Sequence, residues 1–156
     1  GAEAWGGSEG LKTSKGERIG AAPRSVNFAV WWDGDTLREI LDRNFIAKWD
    51  WQTGRMNTIL TAEGCMSNNG SKATPTLSAD ILGDWREEVI WRTTDNKELR
   101  IYTTTIPTEH RIYTLMHDPQ YRLSIAWQNV AYNQPPHTGF FLGDGMKPAP
   151  RPAIRK

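Results

Sequence analysis

Hydrophobic and polar residues alternate along this chain in short runs that are rich in β-branched and aromatic side chains. Runs of this kind, bounded by turn residues and spaced about 8–12 residues apart, are typical of all-β proteins. The pattern predicts strands at 27–32, 37–42, 45–50, 57–62, 75–81, 87–93, 98–105 and 122–128. Residues 6–25 are predicted to hold at most one hairpin, and residues 106–121 an ordered excursion with one helical turn.

Part of this pattern occurs twice. The octapeptide that starts at Gly34 is matched by the one that starts at Gly83, 49 positions later. Repeats of about 40–50 residues with four strands each are typical of β-propellers, which usually have at least four blades. We therefore predict an all-β fold with about two four-stranded blades of a β-propeller, an incomplete ring, in a chain that begins inside a larger protein.

The domain boundaries follow from the repeat. Residues 1–146 are predicted to form the partial propeller, with edge strands at both ends, and residues 147–156 an extended tail. The two blades are placed at about 27–64 and 74–128. Because propeller edges need a partner, we expect the chain to pair with the remainder of a parent propeller or with further copies of itself.

Charge and composition limit the classes of partner that this chain is expected to bind. The chain carries 19 basic and 18 acidic residues, so no global field favours nucleic acid or a membrane surface. No stretch approaches the 18 consecutive apolar residues that a membrane-spanning helix needs. The single cysteine, Cys65, excludes an internal disulfide, and most of the eight tryptophans are expected to pack between sheets.

Two acidic loops have spacings that suit a hard cation. The second loop has carboxylates at relative positions 1, 5 and 9, namely Asp80, Asp84 and Glu88. The first loop has them at positions 3, 5 and 9, namely Asp33, Asp35 and Glu39, with Trp31 at position 1. Calcium takes six to eight oxygen ligands in flexible geometry, so we predict calcium as the cofactor, favouring the second loop. The alternative is that both are ordinary solvated Asp-Gly turns.

A polar loop precedes the second acidic loop. Asn69, Gly70, Ser71 and Lys72 offer amide, hydroxyl, backbone N–H and ammonium groups to a sugar hydroxyl or carboxylate. The alternative is a hairpin turn with a surface lysine, because Asn-Gly is a strong turn signal. A second basic region comprises His110, Arg111, His117 and Arg122, which either bind uronate carboxylates or form buried hydrogen-bond networks.

Long stretches of the sequence resemble the C-terminal part of rhamnogalacturonan lyases of polysaccharide lyase family 11. The similar stretches are 27–35, 67–91, 98–105, 108–121 and 126–145. The resemblance implies an eight-bladed, calcium-bound propeller. It also implies a secreted, pectin-degrading rhamnogalacturonan endolyase that cleaves the rhamnose–galacturonic acid backbone by β-elimination.

The resemblance also implies roles for individual residues. Lys72 becomes the catalytic or charge-stabilising residue, and the substrate-binding residues become Asn69, Gly70, Ser71 and Tyr132. The family commonly has threonine where this chain has Ser71, which keeps the hydroxyl. Asn129 and the carbonyl of Ala131 are implied to help hold a calcium ion near the central cleft.

Partner residues from missing blades lie outside this chain, so we expect it to have little or no lyase activity alone. A rival interpretation is a non-catalytic, calcium-stabilised propeller module that binds polysaccharide or protein. A third is a degradation product without a role of its own.

Overall fold

The computed structural model describes residues 3–5, 10–130 and 133–153. These residues form three antiparallel sheets and one short α-helix, so the predicted all-β class is confirmed. The strands are β1 (Glu3–Trp5), β2 (Leu11–Thr13), β3 (Arg18–Gly20), β4 (Phe28–Val30), β5 (Glu39–Asp42), β6 (Phe45–Asp50), β7 (Arg55–Thr61), β8 (Cys65–Met66), β9 (Leu77–Ala79), β10 (Glu88–Thr93) and β11 (Leu99–Tyr102).

The first four-stranded sheet is a simple meander. Strands β4, β5, β6 and β7 follow one another in space as they do in sequence, each antiparallel to the next. A smaller sheet, β1-β2-β3, precedes it in the chain, and β2 and β3 form the hairpin expected within residues 6–25.

The second four-stranded sheet has an interrupted edge. Strand β10 pairs with β11 on one side, while β8 and β9 both pair with β10 on the other. Strand β9 occupies the first half of β10 and β8 the second half, so these two short strands lie end to end. Residues 67–76 leave the sheet between them, and they contain the polar loop singled out in the sequence.

The sequence repeat is matched in the structure, because corresponding strands of the two sheets pair in the same register. Phe28 lies opposite Leu41 in the first sheet, and Leu77 lies opposite Ile90 in the second, 49 positions later in both strands. The other partner pairs of β4–β5 and β9–β10 obey the same offset. The two sheets are therefore built on one pairing scheme.

The predicted strand at 122–128 is wrong, because helix α1 spans Pro119–Trp127. The Asp118 side chain caps this helix by accepting a hydrogen bond from the Gln120 amide, and proline occupies its first position. Asp-Pro is a local start signal for a helix. Its buried face carries Tyr121 and Ser124, three residues apart, as helical periodicity requires. Within the described ranges no helix is long and apolar enough to cross a membrane.

The main core fills the space between the two four-stranded sheets. It contains Phe28, Val30, Trp32, Leu41, Ile46, Ala62, Cys65, Val89 and Trp91. A second cluster packs helix α1 and the preceding segment under the loops that follow β4 and β9, and it contains Trp31, Trp85, Leu115, Tyr121 and Leu142. This second core fixes the loops on which the acidic residues lie.

Candidate functional site: acidic loops and a lysine loop

The first acidic loop gathers its carboxylates. One oxygen from each of Asp33, Asp35 and Glu39 lies within 4.8 Å of the others, and no other such acidic, histidine or cysteine group occurs among the described residues. Glu39 is buried, and its Oε2 accepts hydrogen bonds from the backbone amides of Trp32 (3.0 Å) and Asp33 (3.3 Å). Its Oε1 accepts no hydrogen bond from the described part of the chain.

Lys48 reaches into this cluster from β6. Its ammonium group donates hydrogen bonds to Asp33 and Asp35 and lies 3.5 Å from Glu39 Oε1. Sequence reasoning missed this residue. The available signal was register, because Ile40 pairs with Ala47 and Lys48 therefore comes next to Glu39 across the hairpin.

The pKa values of the residues in this cluster are shifted in different directions. Burial and, after it, the neighbouring Asp33 carboxylate raise the pKa of Glu39 to about 7, although the amide donors and Lys48 act to lower it. Burial also acts to raise the pKa of Asp33, but its bonds to Lys48 and the Asp35 amide outweigh burial and hold that pKa below its usual value. Two hydrogen bonds to carboxylates raise the pKa of Lys48 despite its partial burial.

Glu39→Gln is expected to flatten the dependence of stability on pH in the absence of divalent cations. The pKa of Glu39 rises from 4.5 to about 7 on folding. The folded state therefore binds this proton more tightly, and the free energy of unfolding falls as pH rises between these values, by about 3 kcal/mol at most. Urea unfolding in chelator at pH 5 and pH 8 measures this slope.

The exposed Glu98 provides the control, since Glu98→Gln should leave the slope as it is in the unmodified chain. Millimolar calcium should remove most of the loss at pH 8, because a cation favours the ionised carboxylate. An unchanged slope in Glu39→Gln would contradict the assignment of this proton to Glu39.

The donor set of the first loop fits a calcium ion. Three carboxylates with one lysine leave an excess of negative charge, and the buried Glu39 Oε1 has an unused lone pair directed into the cluster. Hard carboxylate oxygens are the ligands that calcium prefers. Asp33, Asp35 and Glu39 are therefore the side chains that could hold calcium, with Lys48 displaced from their centre.

The second acidic loop uses its carboxylates differently. Asp80 accepts hydrogen bonds from the amides of Gly83 (2.8 Å) and Leu115 (2.7 Å) and from the Thr114 hydroxyl (2.8 Å). Burial raises the pKa of Asp80. Asp84 pairs with the neighbouring Arg86 guanidinium at 2.6 Å.

Glu88 in this loop repeats the bonding of Glu39. Its Oε2 accepts from the amides of Ile81 and Leu82, both at 2.9 Å, and its Oε1 accepts from the Thr103 hydroxyl at 3.0 Å. Asp80, Asp84 and Glu88 are not brought within ligand distance as a group of three. In the second loop, which the sequence favoured for calcium, the three carboxylates are thus less closely grouped than in the first loop. Calcium binding at the second loop stays a prediction.

The lysine loop is shaped by the Asn69 side chain. Asn69 Oδ1 accepts hydrogen bonds from the amides of Lys72 (2.9 Å) and Ala73 (3.0 Å), and Asn69 Nδ2 donates to Thr74 Oγ1 at 2.9 Å. Ala73 is buried with a φ of 50°, a left-handed conformation that these bonds stabilise. Gly70 and Ser71 are exposed at the tip, and Lys72 is half-buried beside them.

A polar network ties this loop to the segment after helix α1. Asn133 Nδ2 donates to Thr74 Oγ1 (3.0 Å) and to Asn129 Oδ1 (2.9 Å). Asn129 Nδ2 in turn donates to the Thr76 carbonyl at 2.6 Å. Thr74 and Asn133 were missed by sequence reasoning, because only the fold brings residues so far apart in sequence together.

The predicted site residues therefore separate into groups. The structure brings Asn69, Gly70, Ser71 and Lys72 into one loop and joins Asn129 to it through the polar network. Tyr132 and Ala131 lie outside the described residues. The Asn69 amide is committed to shaping the loop, and its sugar contact stays a prediction. This arrangement can hold one cationic side chain in a fixed position beside an exposed Gly-Ser tip.

Comparison with known proteins identifies the family to which this chain is similar. The family described as rhamnogalacturonan lyase family 11, C-terminal domain, matches residues 1–152. The chain is 66% identical over 153 residues to the rhamnogalacturonan endolyase YesW of Bacillus subtilis, covering 97% of this chain and 24% of the relative. It is 60% identical to the rhamnogalacturonan exolyase YesX of the same organism, covering 96% of this chain and 26% of the relative.

Solved structures agree with the sequence comparison. The crystal structure of YesW aligns with a TM-score of 0.90, covering 98% of this chain and 26% of that structure. A Bacillus licheniformis rhamnogalacturonan lyase of family PL11 is 62% identical and aligns with a TM-score of 0.93, covering 100% and 27%. The chain thus spans about a quarter of the length of these relatives. It belongs to rhamnogalacturonan lyase family 11, in which it corresponds to the C-terminal domain.

Proposed function

We propose that this chain is the C-terminal part of a rhamnogalacturonan lyase and supplies Lys72 to its active site. The relatives that match nearly the whole chain are rhamnogalacturonan lyases by name. The single observation that carries the proposal is the loop in which the Asn69 side chain accepts a hydrogen bond from the Lys72 backbone amide and so holds the backbone at this lysine beside the exposed Gly-Ser tip.

The reaction is β-elimination at galacturonate. The proton on C5 is removed, a double bond forms between C4 and C5, and the glycosidic oxygen leaves C4 with the bonding electron pair. Calcium held near the sugar, for which the family resemblance implies Asn129 and the carbonyl of Ala131, would supply positive charge to neutralise the carboxylate and stabilise the developing enolate. Lys72 either accepts the C5 proton as a neutral amine or stabilises the negative charge as an ammonium group. Gly70 and Ser71 offer a backbone amide and a hydroxyl to the sugar.

The proposal includes the architecture of the whole enzyme. Two sheets with the same register at a 49-residue offset support two consecutive blades of a propeller. By family resemblance the ring has eight blades, closed by the remainder of a longer protein rather than by this chain alone. We also propose a secreted enzyme, since its polymeric substrate lies outside the cell.

A chimera tests the proposed function. This chain would replace the matching C-terminal quarter of the Bacillus subtilis endolyase, and the ultraviolet absorbance of the unsaturated product would report turnover of rhamnogalacturonan. We expect the chimera to turn over and to lose activity in chelator. The isolated chain should give less than about one thousandth of that rate, because the partners that complete the site are absent.

The outcomes separate the two functional classes. A chimera that binds the polymer but does not cleave it would support a non-catalytic, calcium-stabilised binding module instead. Turnover by the isolated chain close to that of the chimera would show that the active site is complete within these residues.

A further inference from the structure

Two adjoining cavities lie on the side of the molecule formed by the segment before helix α1 and the chain after residue 145. Their volumes are about 550 Å³ and 680 Å³, and they share the wall that contains Tyr113 and Arg151. Tyr113 is 51% exposed as a whole residue. Because Ile112 and Ala149 also line both cavities, the two are treated together and called the basic groove below.

The basic groove collects cations that lack acidic partners. Arg111 and Lys147 line the larger cavity, Arg122 lines the smaller one, and Arg151 lines both. All four side chains belong to exposed residues, and none makes an ion pair within the described ranges. By contrast, the six ion pairs found among the described residues are all made by four other cations, Lys48, Arg86, Lys97 and Arg100.

The carboxylate in the basic groove already accepts hydrogen bonds from the backbone. Asp118 is the one acidic residue among the described positions that lines either cavity, and its two oxygens accept hydrogen bonds from the backbone amides of Gln120 and Gly139. The whole chain carries a net charge of only +1. The groove therefore concentrates positive charge on a nearly neutral molecule, and low-dielectric walls focus that field.

The basic groove lies at the opposite end of β9 from the lysine loop. Residues 67–76 precede β9, whereas Asp80 follows it and bonds to Thr114 and Leu115, which line the groove. A ligand in the groove would therefore be separate from one bound at Lys72.

We propose that the basic groove is a second binding site for a uronate-containing sugar chain. Guanidinium groups bind carboxylates through paired donors, and the exposed face of Tyr113 suits the C–H face of a pyranose. Several cations in one groove suit an acidic polysaccharide, which carries more than one carboxylate along its chain. The choice of uronate over other anions rests on the proposed function, whereas the choice of an anion rests on the groove alone.

Binding to the isolated chain tests this inference directly. Digalacturonate would be titrated into the 15N-labelled chain at about 20 mM salt, with a neutral galactose disaccharide and inorganic sulfate as separate probes. We expect digalacturonate to shift the amide signals of residues 110–122 and 147–153, and the neutral disaccharide to leave them unchanged. Raising the salt to about 200 mM should weaken binding, because exposed charges are then screened.

Matched variants assign the site. Arg111→Gln combined with Arg151→Gln should weaken digalacturonate binding at least tenfold, whereas Arg55→Gln combined with Lys97→Gln should change it less than twofold. Tyr113→Phe should retain binding and Tyr113→Ala should weaken it. Should the double groove variant unfold, Lys147→Gln replaces it. This single variant removes one groove charge instead of two and should also weaken digalacturonate binding.

Several results would overturn the inference. Unchanged affinity in the folded groove variants would do so, as would sulfate binding as tightly as digalacturonate. Loss of binding in Lys72→Ala but not in the groove variants would place the sugar at the lysine loop, and the proposed function would survive. Groove binding together with an inactive chimera would reject only the proposed function.

Discussion

Lys72→Ala is expected to lower kcat of the chimera by about 10²–10⁴-fold, the range found when a general acid or base is removed. The chain supplies this lysine from a loop that leaves the second sheet between β8 and β9. The Asn69 side chain binds the Lys72 amide at 2.9 Å, so the alanine variant should keep the loop backbone and lose only the amine. KM should change much less than kcat, since the loss lies in the transition state.

Two further substitutions determine what Lys72 does. Lys72→Arg keeps a positive charge but cannot act as a base, because a guanidinium group is not deprotonated near neutral pH. An inactive arginine variant therefore indicates proton abstraction, and a partly active one indicates charge stabilisation. Lys97→Ala is the control, since that side chain is 80% exposed on another turn. Full activity in Lys72→Ala would refute the assignment of the active site to this loop.

Trp91→Ala is expected to lower the free energy of unfolding by about 3–5 kcal/mol, as large-to-small changes at buried aromatic positions do. Trp91 is fully buried in the core between the two four-stranded sheets. Its indole N–H donates to the Arg43 carbonyl at 2.8 Å, and its ring meets Tyr102 edge-on at 5.3 Å. The substitution leaves a cavity between the sheets and removes the donor from that carbonyl. Urea unfolding followed by circular dichroism measures the loss.

Trp51→Ala is the matched control, because the Trp51 side chain is 47% exposed and should cost much less. Equal losses in the two variants would show that the contact between the sheets contributes little to stability. Two separate unfolding transitions in the unmodified chain would lead to the same conclusion.

Local sequence patterns predicted most strands, because each needs only alternation and a turn signal at its ends. The segment 45–50 was predicted with the bounds that β6 has. The 49-residue repeat predicted two similar four-stranded units, and the pairing of β4–β5 and β9–β10 adds that their registers share the same 49-residue offset. The segment 122–128 failed because its β-branched and aromatic residues were given more weight than the Asp-Pro start signal.

The sites were harder to predict, since spacing along the chain does not reveal which groups donate hydrogen bonds to each carboxylate. Asp80 has good ligand spacing, yet its Oδ2 accepts hydrogen bonds from Thr114 and Leu115 of a distant segment, and its Oδ1 accepts one from the Gly83 amide. The cation inside the first acidic loop, Lys48, comes from a neighbouring strand. The composition of the lysine loop was evident in the sequence, but its connection to Asn129 through Thr74 and Asn133 depends on the fold.

The split edge of β10 has an evolutionary consequence. Strands β8 and β9 each keep their own ladder with β10, so residues can be gained or lost between them without shifting either register. Natural variation in this loop can therefore reshape the proposed sugar-binding surface while both strand ladders are kept. Directed evolution of a new sugar preference should begin with length libraries at this position.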